Sequence, residues 1–390
     1  MKNDKKPQIR FKGFNDDWEQ RKLEDNIVEY TEVTIENNQY PPLTSSRKGI
    51  FLQTEYFAGN QIASDDNTGY NIVPYGYFTY RHMSDDEIFH FNINDIVENG
   101  IVSTLYPVFT TDENLDSRYL QYQLNYGHEF AKFAILQKQG GSRTYMYLNK
   151  LKQLYLTMPK SVEEQKAISA FFMNIDHLIT LHQRKCEMLK KIKKSMLEKM
   201  FPKNGTKKPE IRFKGFNDDW EQRKVREVTD RYDNLRIPVA ASLRVAGTTP
   251  YYGANGIQDY VDGYTHDGEF ILVAEDGAND LKNYPVKCVK GRIWVNNHAH
   301  VLQGKYDCAD NQFLAYAISQ ADIESLLVGG GRAKLNAETL MGIDLLLPNK
   351  AEQIRIGKYL AQLDNLITLH QRKLEKLKYI KKSMLEKMFV

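Results

Sequence analysis

Residues 161–201 read SVEEQKAISAFFMNIDHLITLHQRKCEMLKKIKKSMLEKMF, and residues 349–389 repeat the pattern as NKAEQIRIGKYLAQLDNLITLHQRKLEKLKYIKKSMLEKMF, at an offset of 188 residues. The segments LITLHQRK and IKKSMLEKMF are identical in the two copies. An internal repeat determines how a whole chain is organised, so it constrains the fold before any local pattern does. The two copies therefore predict a chain of two halves built on the same frame.

Both copies have the alternating four- and three-residue spacing of apolar side chains that is typical of a coiled-coil helix. At about 1.5 Å of rise per residue, each copy predicts a helix of roughly 60 Å. A helix of that length with one apolar stripe needs a partner, and each copy is the obvious partner of the other. The predicted seam positions are Ile175, Ile179, His182 and Leu189 in the first copy and Leu363, Ile367, His370 and Leu377 in the second.

Both helices have a start signal. A proline precedes a capping residue, and a glutamate follows that residue three positions later, as in a capping box. These residues are Pro159, Ser161 and Glu164 in the first copy and Pro348, Asn349 and Glu352 in the second. Pro202 lies just past the first copy and is predicted to end that helix.

Polar residues interrupt both seams at matching positions, where His182 corresponds to His370 and Lys193 to Lys381. Such residues either fix the register of a coiled coil at some cost in stability or occupy partly exposed positions without a special role. The sequence leaves both interpretations open. Neither histidine is predicted to be catalytic.

A second repeat precedes each variable part of the chain. Residues 5–22 read KKPQIRFKGFNDDWEQRK, and residues 207–224 differ from them only in having Glu210 in place of Gln8. We interpret both as docking segments whose aromatic side chains pack on the following domain or on the helices. The predicted layout is a first domain at 1–160, a helix at 161–201, a linker at 202–206, a second domain at 207–348 and a helix at 349–390.

The two domains share little sequence between the docking segment and the helix. In both, short runs rich in β-branched and aromatic residues alternate with turn signals, and helical patterns occupy residues 117–137 and 310–328. Both domains end alike, because GGSR at 140–143 and GGGR at 329–332 precede a strand that leads to the capped helix. A glycine loop with an arginine and free N–H groups suits a phosphate oxygen.

The composition is that of an ordinary soluble globular protein, with 42% hydrophobic and 26% charged residues, and 390 residues allow two or three domains. No run approaches the ~18 apolar residues of a membrane span. The N-terminal MKNDKKPQIR lacks the apolar core of a secretory signal. Three cysteines without metal-ligand spacing argue against a disulfide framework. A cytoplasmic location is expected.

The net charge is only +3, but its distribution is uneven. Residues 184–203 contain eight Lys or Arg and two Glu, and residues 372–387 contain seven Lys or Arg and two Glu. Such a run is either the solvated face of a helix or an electrostatic footprint for nucleic acid or an acidic partner. The sequence alone does not decide between them.

The chain lacks the Walker loop G-x-x-x-x-G-K-[ST], the nucleophile elbow G-x-S-x-G, the zinc motif H-E-x-x-H and the Asn-Pro-Pro-aromatic motif of adenine methyltransferases. His298 and His300 lie two apart on a predicted strand, and such a pair is more often structural than a metal site. No catalytic residue and no metal site are therefore predicted. The two halves share their docking segment and long helix but differ in the domain between them. This difference indicates that the two domains carry the specificity.

Four segments of the domains point, together with the repeat, to one family. They are FTYRHMSDDEIF (78–89) and GIVSTLYPVF (100–109) in the first half, and TPYYGANGIQDYVDGYTHDGEFILVAEDGA (249–278) and GRIWVNNHAHVL (291–302) in the second. With these segments and the closing GGSR and GGGR loops, the chain resembles the DNA-specificity subunit of type I restriction–modification systems over nearly its whole length.

The resemblance implies an α+β fold, in which two mixed α/β target-recognition domains are joined by a pair of long antiparallel coiled-coil helices with pseudo-two-fold symmetry. Each domain would read one half of a bipartite, asymmetric site in double-stranded DNA. Two methyltransferase subunits would dock on the frame, and restriction and translocase subunits would join the complex. The resemblance places S-adenosylmethionine, ATP and magnesium on those partners. Adenine methylation and DNA cleavage would be the work of the complex, and this chain is expected to be non-catalytic.

The chemistry of the DNA grooves and of the DNA backbone indicates which residue types can contact DNA. Arginine, lysine, asparagine and glutamine read base edges, while tyrosine and serine contact phosphates. The predicted contacts are Tyr80, Arg81, His82, Ser142, Arg143 and Tyr145 in the first half and Tyr252, Asn255, Gln258, Arg332 and Lys334 in the second. Asn255 before Gly256 is also a turn signal. Half-sites on one face of a duplex lie about 34 Å apart or a multiple of that, a distance that helices of roughly 60 Å could span.

Two other classes of function stay open at this point. The chain could be a coiled-coil scaffold or adaptor that binds protein partners without reading DNA, and the modest net charge slightly favours that reading. It could also be a self-contained nuclease, which the lack of a recognisable metal-binding carboxylate cluster disfavours.

Overall fold

A computed structural model describes residues 6–138, 143–203, 205–329 and 333–389. The chain forms two compact units, one of Met1–Leu181 with Lys373–Val390 and the other of His182–Arg372. The division passes through both long helices. Each unit therefore contains the start of one long helix and the end of the other.

The first unit is built of short antiparallel strands. They are β1 (Glu19–Lys22), β2 (Ile27–Glu29), β3 (Leu43–Ser46), β4 (Gly49–Leu52), β5 (Asn71–Pro74), β6 (Phe78–Thr79), β7 (Met83–Ser84), β8 (Asn92–Ile93), β9 (Asn99–Val102), β10 (Val108–Thr111), β11 (Thr144–Tyr145) and β12 (Tyr155–Met158). A four-stranded sheet has the order β2-β10-β6-β8, and the two-stranded sheets are β1-β12, β3-β4, β5-β9 and β7-β11.

The helices of the first unit follow the strands and lead into the frame. They are α1 (Gln53–Tyr56), α2 (Ser117–Tyr126), α3 (His128–Leu136) and α4 (Leu148–Leu151), and the long α5 (Val162–Met200) begins in this unit. The helix predicted at 117–137 is divided at Gly127, which has an extended backbone. A Cβ at Gly127 would lie 2.4 Å from the carbonyl oxygen of Gln123, so this close approach requires glycine.

The second unit contains one larger mixed sheet. Its strands are β13 (Glu221–Lys224), β14 (Thr229–Arg231), β15 (Ala246–Gly253), β16 (Gly256–Val261), β17 (His266–Ala274), β18 (Val286–Val295), β19 (Ala299–Gly304) and β20 (Asp344–Leu347). The six-stranded sheet has the order β14-β19-β17-β18-β15-β16, in which β15 and β18 run parallel, and β13 pairs with β20. The helices are α6 (Val225–Val228), α7 (Asn311–Ser319) and α8 (Ala337–Gly342), and the long α9 (Lys350–Met388) begins here.

The docking segments contribute a strand as well as aromatic side chains. β1 pairs antiparallel with β12, and β13 pairs with β20, so each docking segment is bonded to the strand that precedes a long helix. Trp18 and Trp220 are both 1% exposed. Trp18 packs edge-on against Tyr119, and Trp220 packs edge-on against Phe313. The predicted packing of the aromatics on the following domain is thus found in each unit.

The start of α5 is held by a hydrogen bond and a buried ion pair. The Ser161 hydroxyl accepts a hydrogen bond from the Glu164 amide at 3.2 Å, as predicted for the cap. The Glu164 carboxylate does not complete the capping box. It accepts two hydrogen bonds from the Arg10 guanidinium, at 2.6 and 2.7 Å, and one from the Trp18 indole at 3.3 Å. The glutamate therefore ties the docking segment to the helix.

The start of α9 repeats the cap and the ion pair in the second unit. It does not repeat the indole hydrogen bond, because the Trp220 indole nitrogen has no hydrogen-bond partner among the described residues. The Asn349 side chain accepts a hydrogen bond from the Glu352 amide at 3.0 Å, and the Glu352 carboxylate accepts two from Arg212, at 2.7 and 2.8 Å. Gln353 is 1% exposed and bonds to the Asp310 amide and to the carbonyls of Cys308 and Pro348. The repeat thus preserves a set of anchors as well as an apolar stripe.

The two long helices run antiparallel within the first unit. Phe172 of α5 stacks on Phe389, with ring centroids 5.8 Å apart, and Asp176 of α5 pairs with Lys381 of α9 at 2.7 Å. The Tyr122 hydroxyl donates to Asp176 at 2.8 Å. Of the predicted seam positions in this unit, Ile175 is buried, while Ile179 and Leu377 are half-buried.

The helices are also antiparallel within the second unit. His182 and His370 bring their Nδ1 atoms to 2.8 Å, a distance at which one ring donates a hydrogen bond and the other accepts it. Lys193 of α5 pairs with Asp364 of α9 at 2.6 Å, and the Tyr316 hydroxyl donates to Asp364 at 2.6 Å. Leu363 and Ile367 are buried, and Leu189 is half-buried.

The lysines that interrupt the predicted seams are therefore partners of specific carboxylates. Lys381, Asp176 and Tyr122 in the first unit correspond to Lys193, Asp364 and Tyr316 in the second. No helix of the described residues is long and apolar enough to cross a membrane.

Candidate nucleic-acid interface

In the first unit, the strand pair β7-β11 brings together the predicted contacts from two distant segments. Tyr145 pairs with Met83 in this ladder, and the Met146 amide donates to the His82 carbonyl at 2.7 Å. Tyr145 therefore lies opposite Met83, next to His82, while Arg143 lies at the other end of the ladder, where it pairs with Asp85 at 3.0 Å. Arg81 and Arg143 are exposed, and Tyr145 is 38% exposed, so all three side chains are accessible to a ligand.

Two of the predicted contacts in this unit lie in the interior. Tyr80 is 0% exposed, its ring packs between Phe91 and Phe109, and its hydroxyl donates to the Met146 carbonyl at 2.9 Å. Burial raises the pKa of Tyr80. The prediction that Tyr80 contacts DNA is therefore wrong for this structure, because its side chain is a core residue that supports the strand.

His82 is also buried, at 6% exposure, and its Nδ1 contacts the Leu105 carbonyl. Its ring stacks on Tyr147 at a centroid distance of 5.0 Å, and Tyr147 stacks on Tyr145 at 5.9 Å. His82 thus forms the base of an aromatic stack whose two tyrosines are exposed. The burial of His82 argues against a direct contact with DNA. Its ring instead supports the exposed rings of Tyr145 and Tyr147.

Tyr147 was not among the predicted contacts, although a signal for it exists in the sequence. It lies two residues after Tyr145, and alternate residues of extended chain share a face. Tyr147 is 48% exposed. Exposed aromatic rings beside arginines are the side chains on which nucleic-acid bases and backbones pack. Ser142 lies outside the described residues.

Acidic residues orient the basic side chains of this surface. Arg143 pairs with Asp85 at 3.0 Å, and Arg47 pairs with Asp86. The Arg47 guanidinium and the Ser84 hydroxyl lower the pKa of Asp86 well below its usual value. Asp85 therefore partly offsets the positive charge of Arg143.

In the second unit, the hairpin β15-β16 carries three of the predicted contacts. Gly253 pairs with Gly256, so Ala254 and Asn255 form the turn, as the Asn-Gly signal predicts. Gly256 has a φ of +109°, a backbone that favours glycine. The Asn255 side chain donates to the Gly277 carbonyl and accepts from the Asn279 amide, both at 2.9 Å. Asn255 therefore ties the turn to a neighbouring loop.

The other two hairpin residues differ in exposure. Gln258 is exposed, and its side-chain oxygen accepts a hydrogen bond from Asn296 at 3.4 Å. Tyr252 is 6% exposed and packs in the core of the sheet, and burial raises its pKa. The predicted DNA contact of Tyr252 is therefore wrong for the same reason as that of Tyr80, whereas Gln258 remains accessible.

Lys334 follows the GGGR segment by two residues. It forms antiparallel bridges with Val328 and Asp276, and its ammonium group pairs with Glu275 at 2.9 Å. Arg332, the predicted contact of the GGGR segment, lies outside the described residues. The positive charge of Lys334 is thus partly offset by Glu275.

A buried polar cluster fixes the chain that follows this segment. His300 is 1% exposed, and its ring nitrogens contact Asp233 at 2.7 Å and the Leu335 carbonyl at 2.9 Å. Glu275 pairs with Arg236 at 2.7 Å, and its carbonyl accepts from the Leu335 amide at 2.7 Å. His300 therefore has the structural role predicted for it. In the part of the chain that the structure describes, no group of three or more His, Cys, Asp or Glu could hold a metal ion.

The pKa values of two carboxyl groups in this cluster are shifted downwards. For Asp233, burial raises the pKa, but hydrogen bonds from His300 and the Val301 amide outweigh it. For Glu275, burial also raises the pKa, but the hydrogen bonds from Arg236 and Lys334 lower it by more, so the net shift is downward. Both carboxylates are thus stabilised in the charged form.

This cluster is expected to lose stability in acid. A carboxyl group with a depressed pKa stabilises the fold fully above its unfolded pKa, about 3.9 for Asp and 4.3 for Glu, and this stabilisation is lost as the pH falls below it. The protection factors of residues 333–336, which correct hydrogen exchange for the intrinsic pH dependence of the exchange reaction, should therefore fall between about pH 4 and pH 2. Asp233→Asn should reduce that pH dependence, and an unchanged dependence in the variant would contradict the assignment.

Comparison with known proteins gives the family context of these two units. Residues 217–379 match the family model described as the type I restriction modification DNA specificity domain. A Haemophilus influenzae protein named as a type I restriction enzyme specificity subunit is 46% identical over 137 residues, which is 35% of each chain. The type I restriction enzyme MjaVIII specificity subunit of Methanocaldococcus jannaschii is 25% identical over 323 residues, covering 74% of this chain and 73% of that protein.

A solved structure extends the likeness to the whole fold. The crystal structure of the type I restriction–modification S subunit from M. genitalium aligns with 99% of this chain and 99% of its own, with a TM-score of 0.69 and 13% sequence identity. This chain is similar, in sequence and in fold, to type I specificity subunits. The resemblance inferred from the sequence segments is thereby confirmed, and so is the α+β class with two long helices. The chain spans about a third, 35%, of the Haemophilus relative, so that match concerns one part of a specificity subunit.

Proposed function

We propose that this chain is the DNA-specificity subunit of a type I restriction–modification complex. Its target-recognition domains, at 1–160 and 207–348, would each read one part of a bipartite, asymmetric DNA site. The helices at 161–201 and 349–390 would act as spacer and as docking frame for two methyltransferase subunits. The observation that carries this proposal is the pairing of nearly identical anchors with dissimilar sheets in the two units.

The anchors support a contact that is made twice. Arg10–Glu164 recurs as Arg212–Glu352, and Lys381–Asp176 recurs as Lys193–Asp364. A frame that keeps both its surface and its internal ion pairs presents the same chemistry to a partner in each unit. Two copies of one subunit type are the occupants that such a frame fits.

The sheets support two different DNA contacts. The first unit presents Arg81, Arg143, Tyr145 and Tyr147 beside a two-stranded ladder, whereas the second presents a hairpin with Gln258 and, near it, the bridged residue Lys334. Different side chains at different strands read different bases. The recognised site is therefore expected to be asymmetric.

Catalysis is assigned to the partners. S-adenosylmethionine, ATP and magnesium would bind to methyltransferase and restriction–translocase subunits, which would methylate adenine and cleave foreign DNA. This chain would contribute the choice of sequence. Mapping methylated adenines in the genome of the host, with and without an intact copy of this chain, tests the proposal directly. Methylation of the same sites in both strains would contradict it.

Arg332→Ala is expected to weaken DNA binding by about 1–3 kcal/mol if the side chain reads a base edge. If the side chain holds a phosphate, the variant should instead lower the slope of binding against salt concentration. Fluorescence anisotropy with a methylation-site duplex at several salt concentrations separates these cases. Arg226→Ala, which replaces an exposed arginine of α6 bonded to the Met341 carbonyl, serves as the charge-matched control. Unaltered binding by Arg332→Ala would remove this residue from the interface.

An insertion of about four residues into one of the long helices is expected to lengthen the unread gap between the two half-sites, because the helices would set their spacing. Methylation-site mapping with the variant measures the gap. Insertion of four residues at 202–206, between the halves, is the matched control and should leave the gap as it is. An unchanged gap in the helix variant would refute the role as spacer.

The alternative is a coiled-coil scaffold that binds protein partners without reading DNA. The net charge of +3 favours it slightly over a strongly basic DNA-binding protein. A gel shift on random duplex and on methylation-site duplex, with and without the methyltransferase subunit, distinguishes the two. Binding of the partner with no DNA shift under any condition would support the scaffold.

A further inference from the structure

The turn between β18 and β19, at 296–298, lies at an end of the six-stranded sheet where other segments of the second unit meet it. The Asn296 amide donates to the carbonyl of Tyr252, near the end of β15, at 3.0 Å. The Glu275 amide, in the loop after β17, donates to the His298 carbonyl at 2.9 Å. Backbone hydrogen bonds thus hold this turn between the hairpin β15-β16 and the loop that follows β17.

The His298 side chain is held by a carboxylate. Its Nδ1 lies 2.5 Å from Oδ1 of Asp276, and 34% of the His298 side chain and 20% of the Asp276 side chain are exposed. An ionised carboxylate only accepts hydrogen bonds, so Nδ1 carries the proton and the neutral ring has its lone pair on Nε2. The main chain is fixed as well, since the His298 amide donates at 2.8 Å to the side-chain oxygen of Asn296, a buried residue. His298 thus has a defined tautomer and a partly exposed ring.

Side chains that are predicted to contact DNA adjoin this pair. Gln258 accepts a hydrogen bond at 3.4 Å from the same Asn296 side chain that holds the histidine amide. Asn255 bonds to the residue that follows Asp276, and Lys334 forms an antiparallel bridge with Asp276 itself. The histidine therefore lies among the predicted DNA contacts of the second unit, although it is distant from them in the sequence.

The two histidines of this region have different surroundings. His300 is 1% exposed and bonds to Asp233, whereas His298 lies partly at the surface beside Asp276. The structural role predicted for such a pair applies to His300. Within the residues that the structure describes, no third His, Cys, Asp or Glu joins His298 and Asp276 in a group that could hold a metal ion. Binding by His298 would therefore depend on the hydrogen bonds of its ring.

We propose that His298 is a specificity-determining residue, which reads one base in the half-site of the second unit through Nε2, and that Asp276 is its positioning residue. The assignment to a half-site rests on the proposed function. A lone pair on Nε2 needs a hydrogen-bond donor, and the donors in the major groove are the amino groups at N6 of adenine and N4 of cytosine. Guanine and thymine present only acceptors there. The base that His298 reads is therefore adenine or cytosine.

The same chemistry favours a base edge over the DNA backbone. Phosphate oxygens only accept hydrogen bonds, and so does Nε2 of the neutral ring, so the two do not pair. Asp276 also places a negative charge beside the ring, which repels a phosphate.

His298→Ala is expected to relax one position of the recognised sequence. At that position the unaltered complex requires adenine or cytosine, and the variant should accept other bases, because the hydrogen bond that distinguishes them is lost. Methylation-site mapping in a host that carries the variant identifies the position. Fluorescence anisotropy of the assembled complex with two duplexes that differ only there should show that the ratio of their dissociation constants falls about tenfold. The other positions should stay as they are.

Asp276→Asn tests the positioning of the ring. An amide has nearly the size of a carboxylate but donates as well as accepts, so it no longer confines the ring to one tautomer. This variant should relax the same position as His298→Ala, and the double variant should lose no more discrimination than His298→Ala alone. A loss of stability would instead lower the melting temperature and weaken binding to all sequences alike. Asn297→Ala, at an exposed position of the same turn, is the control and should keep the recognised sequence.

Three results would overturn the role of His298. An unchanged recognised sequence with His298→Ala would do so and leave the proposed function intact. Equal weakening on all duplexes, with a smaller dependence on salt, would indicate a phosphate contact instead. Relaxation at a position where the unaltered complex requires guanine or thymine would contradict the acceptor at Nε2. If the unaltered chain directed no site-specific methylation, the proposed function would fail, and the role of His298 with it.

Discussion

Glu164→Ala is expected to lower the free energy of unfolding of the first unit by about 3–5 kcal/mol, because it leaves a largely buried arginine without its charge partner. Glu164 is 1% exposed, and the Arg10 side chain is 14% exposed. The carboxylate accepts two hydrogen bonds from Arg10 and one from Trp18, and all three would be lost. Hydrogen exchange resolved by peptide measures the loss in residues 6–138 and leaves residues 205–329 as an internal reference.

Two further variants test the cause of that loss. Glu163→Ala changes an exposed glutamate of the same helical turn and should have little effect. The double variant Arg10→Ala with Glu164→Ala should lose less stability than the sum of the two single changes, because no unpaired charge remains. A fully additive double variant would show that the ion pair is not the reason for the destabilisation.

Phe389→Ala is expected to destabilise the first unit by about 3–5 kcal/mol, since it leaves a cavity in an aromatic core. Phe389 follows the end of α9 and is 4% exposed. Its ring lies 5.9 Å from that of Tyr119 and 5.8 Å from that of Phe172, measured between centroids. Peptide-resolved hydrogen exchange should show faster exchange in α2 and at the start of α5.

Phe201→Ala is the matched control for this prediction. Phe201 stands at the corresponding position after α5 and packs against Trp220 and Phe313 of the second unit. It should therefore destabilise the second unit and leave the first unaffected, although residue 201 belongs to the first repeat. If Phe389→Ala accelerated exchange in residues 205–329 in preference to the first unit, the assignment of the helix ends would be wrong.

The frame could be predicted from the sequence because its signals are local and doubled. The heptad spacing and the capping residues Ser161 and Asn349 concern neighbouring residues, and the internal repeat shows the same local pattern a second time, so together they identify both long helices. The partners of Glu164 and Lys193 could not be predicted in this way. Arg10 lies 154 residues from Glu164, and Asp364 lies 171 residues from Lys193, so only the folded arrangement brings each pair together.

The candidate site was predicted less completely, because tyrosine is equally suited to a core and to a DNA surface. Tyr80 and Tyr252 proved to be buried, and Tyr147 proved to be exposed. The alternation of residues in an extended chain could have predicted the burial of Tyr80, since Phe78 and Tyr80 share one face of the chain and Arg81 lies on the other. The contacts Ser142 and Arg332 lie outside the described residues and stay predictions.

Each unit contains the start of one long helix and the end of the other, and this arrangement limits the order in which the chain can fold during synthesis. The second unit is one continuous segment, His182–Arg372, whereas the first is completed by Lys373–Val390. The Ile9 amide donates a hydrogen bond to the Lys387 carbonyl, so residue 9 reaches its folded partner only after residue 387 has been synthesised. The unit that begins first is thus the last to close, and until then its aromatic core has an open side toward Tyr119 and Phe172.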